Sequence, residues 1–464
     1  MKKDRNKWRI DFALWNVKSE SGTLRAVLIQ DTTLNFWENK LPFVGGESNL
    51  QYLHRCPHAD YNAGGHDQWL QLEQFLKDEG VQVFEVVSLL RKAIERASET
   101  ERKEIIKRFW RPNEKAPAPS ELKVEHLTDG YPPRPYYDQT RDQVVLPDFK
   151  RAAWTYTRDT SFTTQIGTVI CNMRRYSRRF EPQVVKLAYE SDPVLQKNVN
   201  LIWDANDLTI ANTEPPNIEG GDTEIIDEET IAVGLGQRST FTGFLEFAKK
   251  IFSNDVNREV KYICAVYNAD YPAVDYMHLD VVMNFPANRK ALIMPYYFDS
   301  ELVKDMPPKK LLLKLLAATR AQSERDARPM QEVVSPAAFE RAGECYVYIR
   351  GKDNEPELLR REVSLVDFLI KEDKIDKDGL IYVGGQPKKK NDVEHLMLAL
   401  MEQTRGATNI ITVKSGTVIS YARTSATIEA LSEHGIRVKK WDDSYLDMLG
   451  GPHCSTSPLS RDPT

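Results

Sequence analysis

The sequence predicts an α/β fold assembled from several small units, each combining short strands with one helix. Three observations carry that prediction. Short apolar runs with strand-like alternation recur along the chain, bounded by glycine, proline and polar residues. Between them lie single amphipathic helices with recognisable ends. With 464 residues, 41% hydrophobic and 28% charged, the chain can bury a large core and falls with globular rather than disordered proteins. The rhythm fits a radial assembly of ββαβ units better than a doubly wound parallel sheet, although no sequence identity between units is visible.

Leu24 to Ile29 reads as the first strand, followed by a long polar loop and an amphipathic helix from roughly Gln68 to Asp78. Gly80 suits the left-handed position that closes a helix, and Val81 to Val87 alternates as a strand. Ser88 to Phe109 is charged and helical in pattern, whereas Arg111 to Pro147 is rich in proline and tyrosine. Together they read as an insertion between units, partly helical and partly extended. After Asp159 the rhythm resumes with strands at Gly167 to Asn172, Glu224 to Ile226 and Thr230 to Val233, a helix from Ser239 to Phe252, and a strand from Val260 to Val266. Asn391 is expected to cap a helix running through Gln403, with Glu394 placed for a capping box. Asn409 to Val413 and Thr417 to Tyr421 form a hairpin about Ser415 and Gly416. A helix from Ser425 to Glu433, closed by Gly435, then leads to a final strand, Arg437 to Trp441.

A formal net charge of -5, from 63 basic and 68 acidic side chains, offers no excess that would draw nucleic acid or an anionic membrane. The five cysteines, Cys56, Cys171, Cys264, Cys345 and Cys454, include no C-x-x-C pair, which argues against a disulfide framework and a zinc ribbon and for reduced thiols in a cytosol-like compartment. His54, His58 and His66 near Cys56 match no common zinc spacing. No apolar stretch approaches a membrane span and the first residues lack a leader's apolar core, so a cytoplasmic protein is expected.

Four clusters place ionisable side chains beside glycines or strand ends. Tyr156-Thr157-Arg158-Asp159-Thr160 alone could be a surface ion pair of little weight. Ile218-Glu219-Gly220-Gly221-Asp222 has paired glycines that let backbone approach a ligand closely, or simply make a turn. In Met277-His278-Leu279-Asp280, a strand would project His278 and Asp280 to one face, where imidazole and carboxylate could converge. Gly450-Gly451-Pro452-His453-Cys454 holds a cysteine on a loop, where core packing does not account for it.

In this order along one chain, the four motifs resemble those of the arginine deiminases of the guanidino-group modifying superfamily. The segment Met173 to Arg179, the turn Gly236-Gln237-Arg238-Ser239 and the unit from Asn409 to Val438 add to the likeness. It runs from about Thr23 to Pro463, apart from the insertion and the stretch from Asp299 to Asp378. The resemblance implies a five-bladed pseudo-symmetric ββαβ propeller, the pentein fold, with the site in its central cavity. It implies that residues 1–87 begin the propeller, residues 88–148 form an inserted, partly helical subdomain, and residues 149–464 complete the propeller and carry the cysteine loop.

The resemblance further implies that Cys454 attacks a guanidinium carbon held by Asp159 and Asp280, that His278 serves as acid and then base, and that Glu219 supports His278. Arg178 and Arg238 match two arginines that grip the substrate's α-carboxylate. Asp222 fits a backbone-organising role. Two positions depart from the family pattern: Leu449 stands where an arginine precedes the cysteine loop, and Ala153 replaces an asparagine. The implied reaction needs no metal and no cofactor, because the substrate brings its own positive charge. The expected partner is a small guanidino molecule, with no nucleic acid and no membrane, and a homo-oligomer is left open. The leading expectation is hydrolysis of L-arginine to citrulline and ammonia. Amidino transfer, another guanidino substrate, and a double hydrolysis releasing more than one ammonia are the enzymatic alternatives. A ribosome-binding anti-association factor shares the fold but lacks the cysteine and histidine pair.

Overall fold

The computed structural model describes residues 14–30, 61–110, 112, 115–128, 131, 136–145, 156–175, 178–207, 216–270, 276–326, 335–442 and 450–464. Within them the ββαβ rhythm appears as five sheets of one plan. In each, a middle strand pairs antiparallel with one neighbour and parallel with a strand that follows a helix, the crossover that parallel pairing demands.

The first sheet joins the two ends of the chain. β1 (Leu24–Ile29) is parallel to β2 (Gln82–Glu85), reached through the helix Tyr61–Asp78, and antiparallel to β19 (Thr456–Arg461), the last strand. The second has β5 (Ser161–Thr163), β6 (Thr168–Ile170) and β7 (Leu201–Asp204), with the helices Glu181–Ser191 and Pro193–Asn198 in the crossover. The third has β8 (Thr223–Asp227), β9 (Thr230–Leu235) and β10 (Tyr262–Tyr267), with the helix Phe241–Asn254, and is widened by β13 (Cys345–Arg350) and β14 (Pro356–Glu362). The fourth pairs β11 (Met283–Ala287), β12 (Lys290–Ile293) and β15 (Leu380–Tyr382). The fifth pairs β16 (Ile411–Lys414), β17 (Thr417–Tyr421) and β18 (Arg437–Trp441), with the helix Ser425–Glu433.

Each unit touches the next. β19 packs on β5, the turn Thr157–Thr160 meets Gly220–Asp222, and that turn meets Leu279–Val281. β11 then meets β16, and β16 returns to β1. The core is split accordingly, one cluster gathering about Phe162, Phe244 and Phe247 and another about Trp69, Tyr421 and Trp441.

Element boundaries depart from the sequence reading where local chemistry intervenes. The strand expected from Val81 to Val87 stops at Glu85, because Glu85 accepts a hydrogen bond from Ser88 N and caps the helix Val86–Arg96. The later helix begins at Val393 and is capped by Asp392, which accepts from His395 N; Asn391 has φ +60°, a conformation that excludes the expected capping box with Glu394. Between residues 88 and 148 lie the helices Glu99–Phe109 and Val124–Thr128 and a hairpin of β3 (Tyr136–Asp138) and β4 (Gln143–Val145). Leu90, Ile94 and Phe109 share one core with Leu28 and Phe84 of the first sheet and Val184 and Tyr189 of the second unit's helix. Among the described residues no helix is long and apolar enough to cross a membrane.

Candidate active site

The candidate site residues lie just before the first strand of four of the five units. Asp159 lies in the turn Thr157–Thr160 before β5, Glu219 leads into Gly220–Asp222 before β8, and His278 leads into Leu279–Val281 before β11. Cys454 ends the loop before β19. All four side chains are buried, and Asp280 with them. The turns are laced together: Thr157 Oγ1 donates to Leu28 O at 3.2 Å and to Ser455 O at 3.1 Å, so the Asp159 turn and the cysteine loop share one register.

His278 sits between two carboxylates. Its Nε2 is 3.0 Å from Glu219 Oε2 and its Nδ1 is 3.6 Å from Asp159 Oδ1. Burial alone would lower its pKa, but Asp159, Asp222 and Glu219 outweigh that and raise it to about 9. The ring is therefore an imidazolium at neutral pH. Glu219 is held well below the usual carboxylate range, because Arg238 and His278 overcome the cost of its burial. Its other oxygen, Oε1, accepts from Arg174 N at 3.0 Å. Gly221 passes so close that a Cβ there would lie 2.6 Å from His278 Nδ1 and 2.8 Å from Asp159 Oδ1, so only glycine fits.

Cys454 faces Asp280. Sγ is 3.3 Å from Asp280 Oδ2, and the same oxygen lies 2.9 Å from His453 Nδ1. Burial and the charges of Asp280 and Asp159 push the thiol well above its ordinary pKa, while a hydrogen bond from Asn409 opposes them. Asp280 itself is lowered, its burial outweighed by His453, His278 and Arg158.

The geometry departs from the expected strand at His278 and Asp280. Val282 N bonds to Leu279 O at 3.0 Å and closes a tight turn, so the two side chains do not share a sheet face. His278 reaches Glu219, whereas Asp280 reaches His453 and Cys454. They meet at one site through the turn, not through strand alternation.

Arg178 and Arg238 both point into the carboxylates of this site. Arg178 Nη1 lies 2.6 Å from Asp159 Oδ2, and its Nε and Nη2 bond Glu181 at 2.9 and 2.8 Å. Arg238 Nη1 reaches Glu219 Oε2 at 3.5 Å. Asp222, raised to about 7 by burial, accepts from Ser239 N at 3.1 Å and Asn268 Nδ2 at 2.9 Å and so ties two loops together. Leu449, Ala153, His54, Cys56 and His58 lie outside the described residues, as does the side chain of His66.

Sequence reasoning missed a second charged layer behind the cysteine loop. Arg158 Nη1 pairs with Glu20 Oε1 at 3.0 Å, and His453 Nε2 lies 3.6 Å from Glu20 Oε2. Arg461 Nη2 is 3.8 Å from the same oxygen, and burial beside Glu20 pushes Glu224 well above the usual carboxylate range. Only Arg158 and His453 belonged to a visible motif. Glu20 sits in a short polar loop that carries no pattern. Two sets, Glu20, Glu224 and His453, and Asp159, Glu219 and His278, bring possible ligand atoms within 4.8 Å of one another. Arg158 and Arg461 beside the first, and Arg178 and Arg238 beside the second, already supply the compensating positive charge.

The family model for arginine deiminase matches residues 137–311 and 357–461. The matched residues reach further into the stretch from Asp299 to Asp378 than the motifs did, and they do not include the first unit's residues before 137. An arginine deiminase of Listeria monocytogenes serotype 4a (strain HCC23) is 25% identical over 315 residues, covering 66% of this chain and 61% of the relative. One from Bacillus cereus (strain ATCC 10987 / NRS 248) is 26% identical over 309 residues, again covering 66% and 61%. The chain thus spans less than two thirds of the length of these relatives. Among solved structures, SxtG, an amidinotransferase of the saxitoxin pathway from Microseira wollei, superposes with a TM-score of 0.49 at 15% identity, over 97% of this chain and 98% of that one. With the family model covering more than half of its residues, the chain belongs to the arginine deiminase family.

Proposed function

We propose that this chain is a cysteine-dependent hydrolase of a guanidino substrate, with L-arginine and water giving L-citrulline and ammonia as the leading reaction. The observation that carries this reading is a pair of buried carboxylate oxygens. Asp159 Oδ1, which faces His278 Nδ1 at 3.6 Å, and Asp280 Oδ1 have no hydrogen-bond partner among the described residues, while their sister oxygens are held by Arg178 and by His453 and Cys454. Burying a carboxylate with an unsatisfied oxygen is costly, and a planar cation with N–H groups on two edges satisfies both at once. A guanidinium has that shape and charge.

The bound cation also changes the nucleophile. Asp159 and Asp280 disfavour a thiolate at Cys454, and a guanidinium between them cancels that repulsion. Substrate binding thereby promotes loss of the thiol proton. The thiolate attacks the guanidinium carbon, forming a C–S bond and a tetrahedral adduct. The His278 imidazolium gives its proton to one nitrogen, the C–N bond breaks, and ammonia leaves an S-alkylthiouronium. Water attacks that carbon and passes a proton to His278. The C–S bond then breaks and the adduct's remaining hydroxyl proton leaves to solvent, releasing the neutral ureido product and the Cys454 thiolate, which takes up a proton again once no cation offsets its carboxylate neighbours. Glu219 keeps His278 charged for the first transfer and oriented for the second.

Arg238, whose contact with Glu219 is long, is the better placed of the two arginines to meet an α-carboxylate. Arg178 is committed to Asp159 and Glu181. The five units and their cycle of contacts support a five-bladed propeller with the site at its centre, interrupted by a partly helical insertion over residues 88–148.

The test is a panel of arginine, agmatine, methylated arginines and small guanidino acids, scored for ammonia and for ureido product, with Cys454→Ala in parallel. Ureido product from at least one member, abolished by Cys454→Ala, is expected. Full turnover by the Cys454→Ala protein would remove the basis of the proposal.

A further inference from the structure

Four of the five units place a reactive side chain just before their first strand: Asp159, Glu219, His278 with Asp280, and Cys454. In the fifth unit the corresponding position, just before β16, is Asn409, which is fully buried. Its Nδ2 lies 3.0 Å from Cys454 Sγ. Its Oδ1 accepts from Gly451 N at 2.7 Å and Cys454 N at 3.0 Å. Its backbone oxygen accepts from His453 N at 3.4 Å.

The two backbone donors fix which way the amide faces. Turned over, the NH₂ group would oppose two N–H groups and lose both bonds, so the donor end must face the sulfur. Gly451 makes this closeness possible, because a Cβ there would lie 2.5 Å from Asn409 O and 2.9 Å from Asn409 Oδ1.

We propose that Asn409 is a catalytic residue whose side-chain N–H stabilises the Cys454 sulfur as a thiolate, and whose oxygen fixes the loop that presents it. The proposal rests on the reading of Cys454 as nucleophile. Among the described residues the sulfur's other hydrogen-bonding neighbour is a carboxylate, Asp280, which favours the neutral thiol. During attack the substrate's cation offsets that carboxylate. When sulfur departs at the end of the cycle, the ureido group carries no charge and that offset is gone. The Asn409 donor is present at both stages, and the second half of the reaction depends on it most.

The experiment measures alkylation of Cys454 by iodoacetamide against pH, followed by intact mass with the Cys454→Ala protein as blank, for wild type, Asn409→Asp and Asn409→Ala. Asn409→Asp keeps an acceptor for Gly451 and Cys454 but replaces the donor at sulfur with a second carboxylate oxygen. A thiolate-stabilising donor predicts a midpoint raised by about one pH unit or more in Asn409→Asp, hence roughly tenfold slower alkylation below the midpoint, with Asn409→Ala raised as well. Asn409→Ala carries the same test if the buried acid prevents folding. Turnover should fall in both, with S-linked adduct accumulating. An Asn409→Ala protein that alkylates with the wild-type profile would show that the amide donor adds nothing at sulfur, with any rise in Asn409→Asp then due to its added carboxylate alone, and that result overturns the proposal while leaving Cys454 as nucleophile. Full turnover by the Cys454→Ala protein would instead overturn the reading of Cys454 as nucleophile, and the proposal with it.

Discussion

His278 Nε2 and Glu219 Oε2 lie 3.0 Å apart in a fully buried pair, with Asp159 on the other side of the imidazole at 3.6 Å. Because the folded-state pKa of His278 is raised to about 9, its charged form stabilises the native protein fully below the ordinary histidine value of about 6.5. That contribution is lost as pH rises through about 9. In the proposed mechanism the imidazolium is also the acid that releases ammonia, so kcat should fall on the alkaline side near the same pH. Glu219→Gln removes one of the raising charges, and the alkaline limb of the kcat profile should move down by on the order of one pH unit or more. A limb that stays in place in Glu219→Gln would show that another group sets it.

Gly221 gives a steric test of the same pair. A methyl group there would come within 2.6 Å of His278 Nδ1 and 2.8 Å of Asp159 Oδ1, and both are firmly held. Gly221→Ala should therefore shift the imidazole and the Asp159 carboxylate, the proposed guanidinium seat, together. Displacements of this kind cost on the order of 100-fold in turnover, with a stability loss of about 1–3 kcal/mol from overpacking. Steady-state kinetics beside a urea melt separates the two effects. Near-normal turnover in a folded Gly221→Ala protein would mean that His278 and Asp159 need not keep this spacing.

The layer behind the cysteine loop predicts a stability effect. Arg158 pairs with Glu20 at 3.0 Å and its Nε donates to Thr456 O at 3.0 Å, all out of solvent. Arg158→Met would leave Glu20 with one arginine, Arg461, at 3.8 Å. Removing one partner of a buried ion pair typically destabilises by about 3–5 kcal/mol. A chemical-denaturation midpoint close to wild type would contradict this.

How much of this site was legible in the sequence depended on whether a residue carried its own context. Glu219 could be picked out because Gly220 and Gly221 announce a close approach, and Cys454 because Gly450 and Gly451 hold it on a loop. The ββαβ rhythm was readable too, since β9 and β17 are apolar runs flanked by turns and capped helices. Asn409 was visible only as the start of a strand, because its partners, Gly451 and Cys454, are more than forty residues away in sequence. Glu20 was silent for the same reason: its significance lies in Arg158, His453 and Arg461, which only folding brings near. The His278 and Asp280 pair was read with the wrong local geometry, because spacing alone does not distinguish a strand from the turn that Leu279 and Val282 close.

The two arginines expected to hold an α-carboxylate make a final prediction, because the structure gives them unequal freedom. Arg178 bonds Asp159 and bidentately Glu181, so its loss would disturb the guanidinium seat whatever the rest of the substrate carries. Arg238 is held in the site by a 3.5 Å contact to Glu219 and can turn towards a ligand at less cost. Agmatine, which is arginine without its carboxylate, separates the roles. Arg178→Lys should lower kcat/KM for arginine and agmatine by similar factors, about tenfold or more, since a lysine cannot reproduce the fork that spans Glu181 and Asp159. Arg238→Lys should raise KM for arginine by a comparable factor and leave agmatine nearly unchanged, the signature of a lost contact to the carboxylate alone. If instead Arg178→Lys weakens arginine selectively, the Asp159 pairing yields on substrate binding and Arg178 is the grip. If neither substitution distinguishes the two substrates, neither arginine reads a carboxylate.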